Sequence, residues 1–173
     1  MKEVVILGTT HEIQEGNRLS VEFKAYINKL VKIYNISSIA EEIEDSNVHI
    51  AATVCAELGL SHEIIDPNPK YYKRLGIKPI ADIEYEVMQL HFLNVSPLNR
   101  DKVSPEVLLD FDSRMREEHS SKREKEWLKN ILALNTWPLL VIVGANHFTY
   151  FSDLLLENKI KVHKAAPNWP REK

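Results

Sequence analysis

Two segments of this 173-residue chain end in the same way. Ile6-Leu7-Gly8-Thr9-Thr10-His11 and Ile142-Val143-Gly144-Ala145-Asn146-His147 are each an apolar run, then a glycine, then a histidine three positions on. The chain has only five glycines and seven histidines, so a matched pair of this kind is a poor candidate for coincidence. A neutral imidazole near pH 7 can act as a general base or a metal ligand. A lone histidine is more often a solvated loop residue or a packed one; it is the pairing of His11 with His147 that shifts the balance toward function. Between them, Glu41-Glu42 closes a short apolar stretch. A carboxylate there could orient an imidazole, activate water, or complete a His11/His147/Glu42 metal set with one open position. Side chains alternate along a strand, so a one-residue change of register decides whether Glu41 or Glu42 points inward. The plainer reading of the two glutamates is an acidic run continued by Glu44 and Asp45.

Arg123-Glu124 precedes the second Gly-x-x-His segment. Arginine presents a planar fork of donors that could hold an oxyanion, a phosphate or a carboxylate, with the glutamate fixing it. Lys122, Lys125 and Glu126 surround the pair, and spacing alone favours a solvated charged face. Asp66 stands before Pro67 and reads first as a turn residue. His11-Glu12-x-x-Glu15 and His62-Glu63-x-x-Asp66 are not His-Glu-x-x-His, so the zinc-protease helix is missing. There is no Gly-x-Ser-x-Gly, no phosphate-binding loop and no Gly-x-Gly-x-x-Gly, hence no nucleotide-cofactor motif. The single cysteine, Cys55, forms no intrachain disulfide and reads as a small core residue in an alanine-rich helix. Trp127, Tyr26 and Tyr34 fall on apolar helical stripes and read as core; Tyr71, Tyr72 and Trp137 are open between core and pocket lining.

These side chains need a scaffold to bring them together, and the hydrophobic pattern supplies one. Val4-Val5-Ile6-Leu7 and Leu139-Leu140-Val141-Ile142-Val143 are continuous aliphatic runs, the mark of strands covered on both faces in a parallel sheet. Leu19, Phe23, Tyr26, Ile27, Leu30, Val31 and Tyr34 recur at helical spacing. A strand at 37–40, a helix capped by Ser46 or Asn47 and stopped at Gly59, and a strand at 62–65 complete a β-α-β-α-β run with right-handed crossovers. The middle third is less regular: a helix from Asp82 to about 92, a polar loop over 94–102, and a helix opening at Ser104-Pro105-Glu106. That helix is expected to break near His119-Ser120-Ser121 and resume over 122–134, before helix 148–157 and a last strand at 160–162. The expected fold is a three-layer α/β domain over residues 1–165, with a central mainly parallel sheet flanked by helices and a mobile tail at 166–173. In such a sheet the carboxyl ends of the strands form the ligand crevice, which is where both Gly-x-x-His segments end.

Composition excludes several classes. Hydrophobic residues make up 44% and charged residues 27%, an ordinary globular balance, and the net charge of −3 leaves no basic footprint for nucleic acid. No run of 18 apolar residues could span a membrane, and the N-terminal run reads as a strand rather than a signal peptide. A cytoplasmic protein acting on a small molecule fits.

The strand-Gly-x-x-His at both ends, the intervening acids, and Arg123-Glu124-Lys125-Glu126-Trp127-Leu128 ahead of the second motif resemble the erythromycin esterase-like, ChaN-like and TraB/TIKI group, in particular its small bacterial members. The resemblance spans roughly residues 4–162. It implies a parallel α/β fold with a hydrolytic crevice; members include an esterase that opens a macrolide lactone and metal-dependent peptidases. Carried over, His11 and His147 match the motif histidines, Glu41 or Glu42 the acid, and Arg123 and Glu124 the Arg-acid pair. The chain is much shorter than the esterases and lacks their large helical insertion, so the resemblance leaves the substrate open, and with it the use of a divalent metal. The leading expectation is a hydrolase acting on an ester, lactone or amide. Its rivals are a non-catalytic module that binds a small anion or nucleotide, gripped by Arg123, and a component of a bacterial protein complex docking through 94–121.

Overall fold

The computed structural model describes residues 2–43, 49–93 and 98–170. The two aliphatic runs form β1 (Glu3–Thr9) and β4 (Leu139–Gly144), with β1 buried from its second residue on and β4 buried up to Val143. With β2 (Ser38–Glu41), β3 (Ser61–Ile64) and β5 (Lys161–Ala166) they make a five-stranded, wholly parallel sheet of order β3-β2-β4-β1-β5. The pairing Thr9↔Gly144 brings the two Gly-x-x-His strands side by side, and Glu41↔Ile142 sets β2 on the other flank of β4. The three strand ends that carry the histidines and the glutamates are therefore adjacent. From β1 the chain runs to β2 in one direction along the sheet, and from β4 to β5 in the other. Such a reversal of direction is where parallel α/β sheets open a crevice at their carboxyl edge.

Strand alternation sorts the core into two layers. Val5, Leu7, Ile39, Leu140 and Ile142 face one side, where α2 (Ser20–Tyr34) and α3 (Ile50–Leu58) bury Phe23, Ile27, Ala51 and Val54. Val4, Ile6, Ala40, Val141 and Val143 face the other, against Phe151 and Leu155 of α8 (Phe148–Glu157) and Trp127, Leu128 and Ile131 of α7 (Ser121–Ala133). Helices on both faces of a parallel sheet give the three layers expected from the pattern.

The chain divides into two compact units, residues 1–66 with 127–173, and residues 67–126. The second unit holds α4 (Tyr72–Leu75), α5 (Ile80–Leu90), α6 (Pro105–Arg114), a π-helical stretch (Met115–Ser120) and the start of α7. It has its own small core of Ile83, Val87 and Val107, backed by Phe111 and Met115. No linker composition marks the border, because the chain leaves through Asp66-Pro67 and returns inside one uninterrupted helix. The break expected near His119 does not occur for the same reason: α6 runs through the π-helical stretch into α7. Asp82 lies in the first turn of α5 and not at its cap, while Ser104 caps α6 by accepting from the Val107 amide at 3.4 Å. The expected caps Ser46 and Asn47, and residues 94–97 of the polar loop, lie outside the described residues.

Beyond β5, Trp169 is tied to the end of β1. The Trp169 N–H donates to the Gly8 carbonyl at 2.8 Å, and the Thr9 hydroxyl donates to the Trp169 carbonyl at 3.2 Å. The indole packs against Phe23 and Tyr26, with ring centres 5.0 and 5.7 Å apart.

Candidate functional site

His11 opens a single helical turn, α1 (His11–Gln14), directly after β1, and His147 is the cap residue of α8, directly after β4. Between them the Glu42 carboxylate lies at the end of β2. Its Oε1 is 3.8 Å from Nε2 of His11 and 3.8 Å from Nε2 of His147. Its Oε2 accepts the Gly144 amide at 2.6 Å, while its own amide donates to the Ile142 carbonyl at 2.8 Å. Glu42 is 2% exposed, and the two rings differ: the His11 side chain is 51% exposed and that of His147 13%. A buried carboxylate requires partners, since an uncompensated buried charge costs several kcal/mol. Here it has a charge-assisted backbone bond on one oxygen and two imidazoles on the other.

Both motif glycines serve close approach. A Cβ on Gly144 would lie 3.2 Å from Glu42 Oε2 and 3.6 Å from the His147 ring. A Cβ on Gly8 would collide with the Pro167 carbonyl oxygen, where the C-terminal segment crosses the strand end. Behind the site, the buried Trp127 meets the His147 ring edge-on at 4.9 Å and 71°, and its indole N–H donates to Asp66 Oδ1 at 2.7 Å. Asp66, read from sequence as a turn residue, thus anchors the side chain against which His147 rests. Trp127 is core, as its stripe implies.

Register decides between the two glutamates. Glu42 turns toward the two motif histidines. Glu41, fully buried, turns to the other side of the strand, where Oε2 lies 2.9 Å from His62 Nε2 and Oε1 accepts from the Gln14 amide nitrogen at 3.1 Å. The same nitrogen donates to the Glu42 carbonyl at 3.2 Å. The His62 ring stacks on His49 at 6.2 Å. Gln14 and His62 were not singled out by the sequence reading. The signal for Gln14 was its spacing, three residues after His11 on one turn; for His62 it was parity, since Ile39↔His62 puts its side chain and that of Glu41 on the same face of the sheet. Cys55 is buried nearby, its thiol pushed up to about 11 by burial and by the Glu41 charge, so it stays protonated at neutral pH and is no nucleophile.

Arg123 and Glu124 belong to the second unit. Glu124, 1% exposed, takes both of its oxygens to the guanidinium of Arg116, through Nη1 at 2.7 Å and through Nη2. Arg116 stands eight residues before Glu124, within the π-helical stretch. The Arg123 guanidinium lies 3.5 Å from His119 Nε2, while His119 Nδ1 donates to the Lys78 carbonyl at 2.8 Å. Tyr71 and Tyr72, of the same unit, are engaged with Arg74 and His119, and Trp137 packs against the sheet core.

Among the described residues no group of three or more His, Cys, Asp or Glu side chains is arranged to hold a metal ion. Nor, among the described residues, is any helix long and apolar enough to cross a membrane. No protein-family model, no curated protein and no solved structure matches the chain.

Proposed function

We propose that the chain is a small cytoplasmic hydrolase in which His11, Glu42 and His147 activate water against an ester, lactone or amide. The observation that carries the reading is the position of Glu42 Oε1, 3.8 Å from the Nε2 atoms of both rings. One carboxylate oxygen between two imidazoles stabilises a single proton shared among the three groups, which is what acid-base hydrolysis requires. His11, half exposed, takes a proton from water as the resulting hydroxide attacks the acyl carbon. His147, the shielded ring, carries the proton that goes to the leaving oxygen or nitrogen as the tetrahedral adduct collapses to acid and alcohol or amine. The proton left on His11 returns to His147 by way of Glu42 Oε1, each ring closing by about 1 Å to reach hydrogen-bond distance. Glu42 also offsets the imidazolium charge, most fully at His147, the ring shielded from water. The choice of acyl substrates rests on the resemblance of the two Gly-x-x-His segments to the esterase-like group, and the reading uses residues of the sheet unit alone.

The test is a panel of esters, lactones, amides and phosphoesters presented to the wild type and to His11→Ala. The expected result is turnover of at least one acyl class by the wild type, lowered by about 10²-fold or more in the variant. No turnover of any class, or equal rates in the two proteins, contradicts the reading. Thermal stabilisation by a small anion without turnover would replace it with the binding module.

A further inference from the structure

The short turn after β1 carries more than a histidine. His11 and Gln14 stand three apart on α1, the spacing that puts two side chains on one side of a helical turn. One reaches the Glu42 carboxylate; the other reaches the Glu42 carbonyl and the Glu41 carboxylate. We propose that Gln14 is the positioning residue of the site, its amide nitrogen tying the end of β2 so that the Glu42 carboxylate is held between the two imidazoles. The inference rests on the hydrolytic reading for its catalytic consequence, but not for its geometry.

Three observations support it. First, the amide orientation is forced. Both groups facing Gln14 are acceptors, a carboxylate oxygen and a carbonyl oxygen, and only the nitrogen end of the amide can donate to them. Second, Gln14 is fully buried and its Oε1 has no partner among the described residues. A buried acceptor left unpaired is unfavourable, and a leucine of similar size would avoid it. The amide is unpaired at its oxygen, and its nitrogen makes two bonds. Third, Glu41 is locked from its other oxygen by His62 at 2.9 Å. Gln14 therefore anchors the dipeptide to a fixed point and does not merely follow it. The two adjacent glutamates, pointing to opposite sides of the strand, are secured by one donor from the turn that also presents His11.

Gly144 supplies a reporter that needs no substrate, because its amide proton points at Glu42 Oε2. In NMR spectra of the full chain, Glu42→Gln removes the acceptor charge and sets the scale of the upfield shift of that proton. Gln14→Leu is expected to fold and to move the same proton upfield by at least half that scale. On a substrate from the panel it is expected to lower kcat by about 10- to 100-fold, with KM within about twofold. An unmoved Gly144 proton in Gln14→Leu overturns the proposal, and so does a moved proton with unchanged kcat. If Gln14→Leu does not fold, Gln14→Met is read in its place; failure of both to fold, while Glu42→Gln folds, assigns Gln14 a structural role and also overturns it. Should the wild type hydrolyse nothing, the hydrolytic reading fails, and the Gly144 proton still decides whether Gln14 holds Glu42 in place.

Discussion

Glu42→Gln is expected to lower the hydrolytic rate by about 10³-fold or more, roughly 4 kcal/mol of transition-state stabilisation, while leaving the fold at least as stable. The substitution preserves shape. The glutamine oxygen can still accept the Gly144 amide at the Oε2 position, so its nitrogen faces His11 and His147 in place of Oε1. A donor then stands where an acceptor was, no proton can be relayed between the rings, and the imidazolium formed in the reaction loses its counter-charge. An uncharged amide in place of a buried carboxylate also removes a desolvation penalty, which is why activity and stability separate. The measurement is kcat and KM on the best panel substrate, with a denaturant midpoint on the same preparation. A rate within tenfold of wild type would show that Glu42 is a structural acid only.

Trp127→Ala is expected to cost about 3–5 kcal/mol of folding stability, read from the urea midpoint. Trp127 is fully buried, its ring meets Phe151 edge-on at 5.4 Å, and its N–H is bonded to Asp66. Truncation opens a cavity under the sheet and leaves the Asp66 oxygen without that donor, so transfer, cavity and polar terms act in the same direction. Because the His147 ring rests on this indole, the rate should fall with the stability. Trp127→Phe, which keeps an aromatic edge but no N–H, should lie between. A loss below about 1 kcal/mol for the alanine variant would mean that the layer repacks and that Trp127 does not support His147.

Much of this arrangement was legible in the residues because it follows from period and punctuation. Continuous aliphatic runs ending in Gly8 and Gly144 announced two buried parallel strands, and a histidine three residues later had to stand at the carboxyl edge. What the pattern could not carry was parity and company. Glu41 and Glu42 differ by one position on a strand, and only the pairing Glu41↔Ile142 settles which faces the histidines. Gln14 carries no charge and no motif, so its bridging role emerges only when the turn and the end of β2 are in contact. The division at Asp66-Pro67 and inside α7 left no trace in composition, since the second unit begins and ends within ordinary turn and helix sequence. The pairing of Arg116 with Glu124 joins residues eight apart across a π-helical stretch, a spacing that no motif in the sequence marks.

The central claim is that His11 and His147 serve one reaction centre through one carboxylate oxygen. Its most direct test is a double-mutant cycle on kcat/KM with His11→Ala, His147→Ala and the two combined. Groups that act as a unit lose nearly everything with the first removal, so the double variant is predicted to be about as slow as either single one. Losses that multiply, or a single variant that retains the wild-type rate, would contradict it.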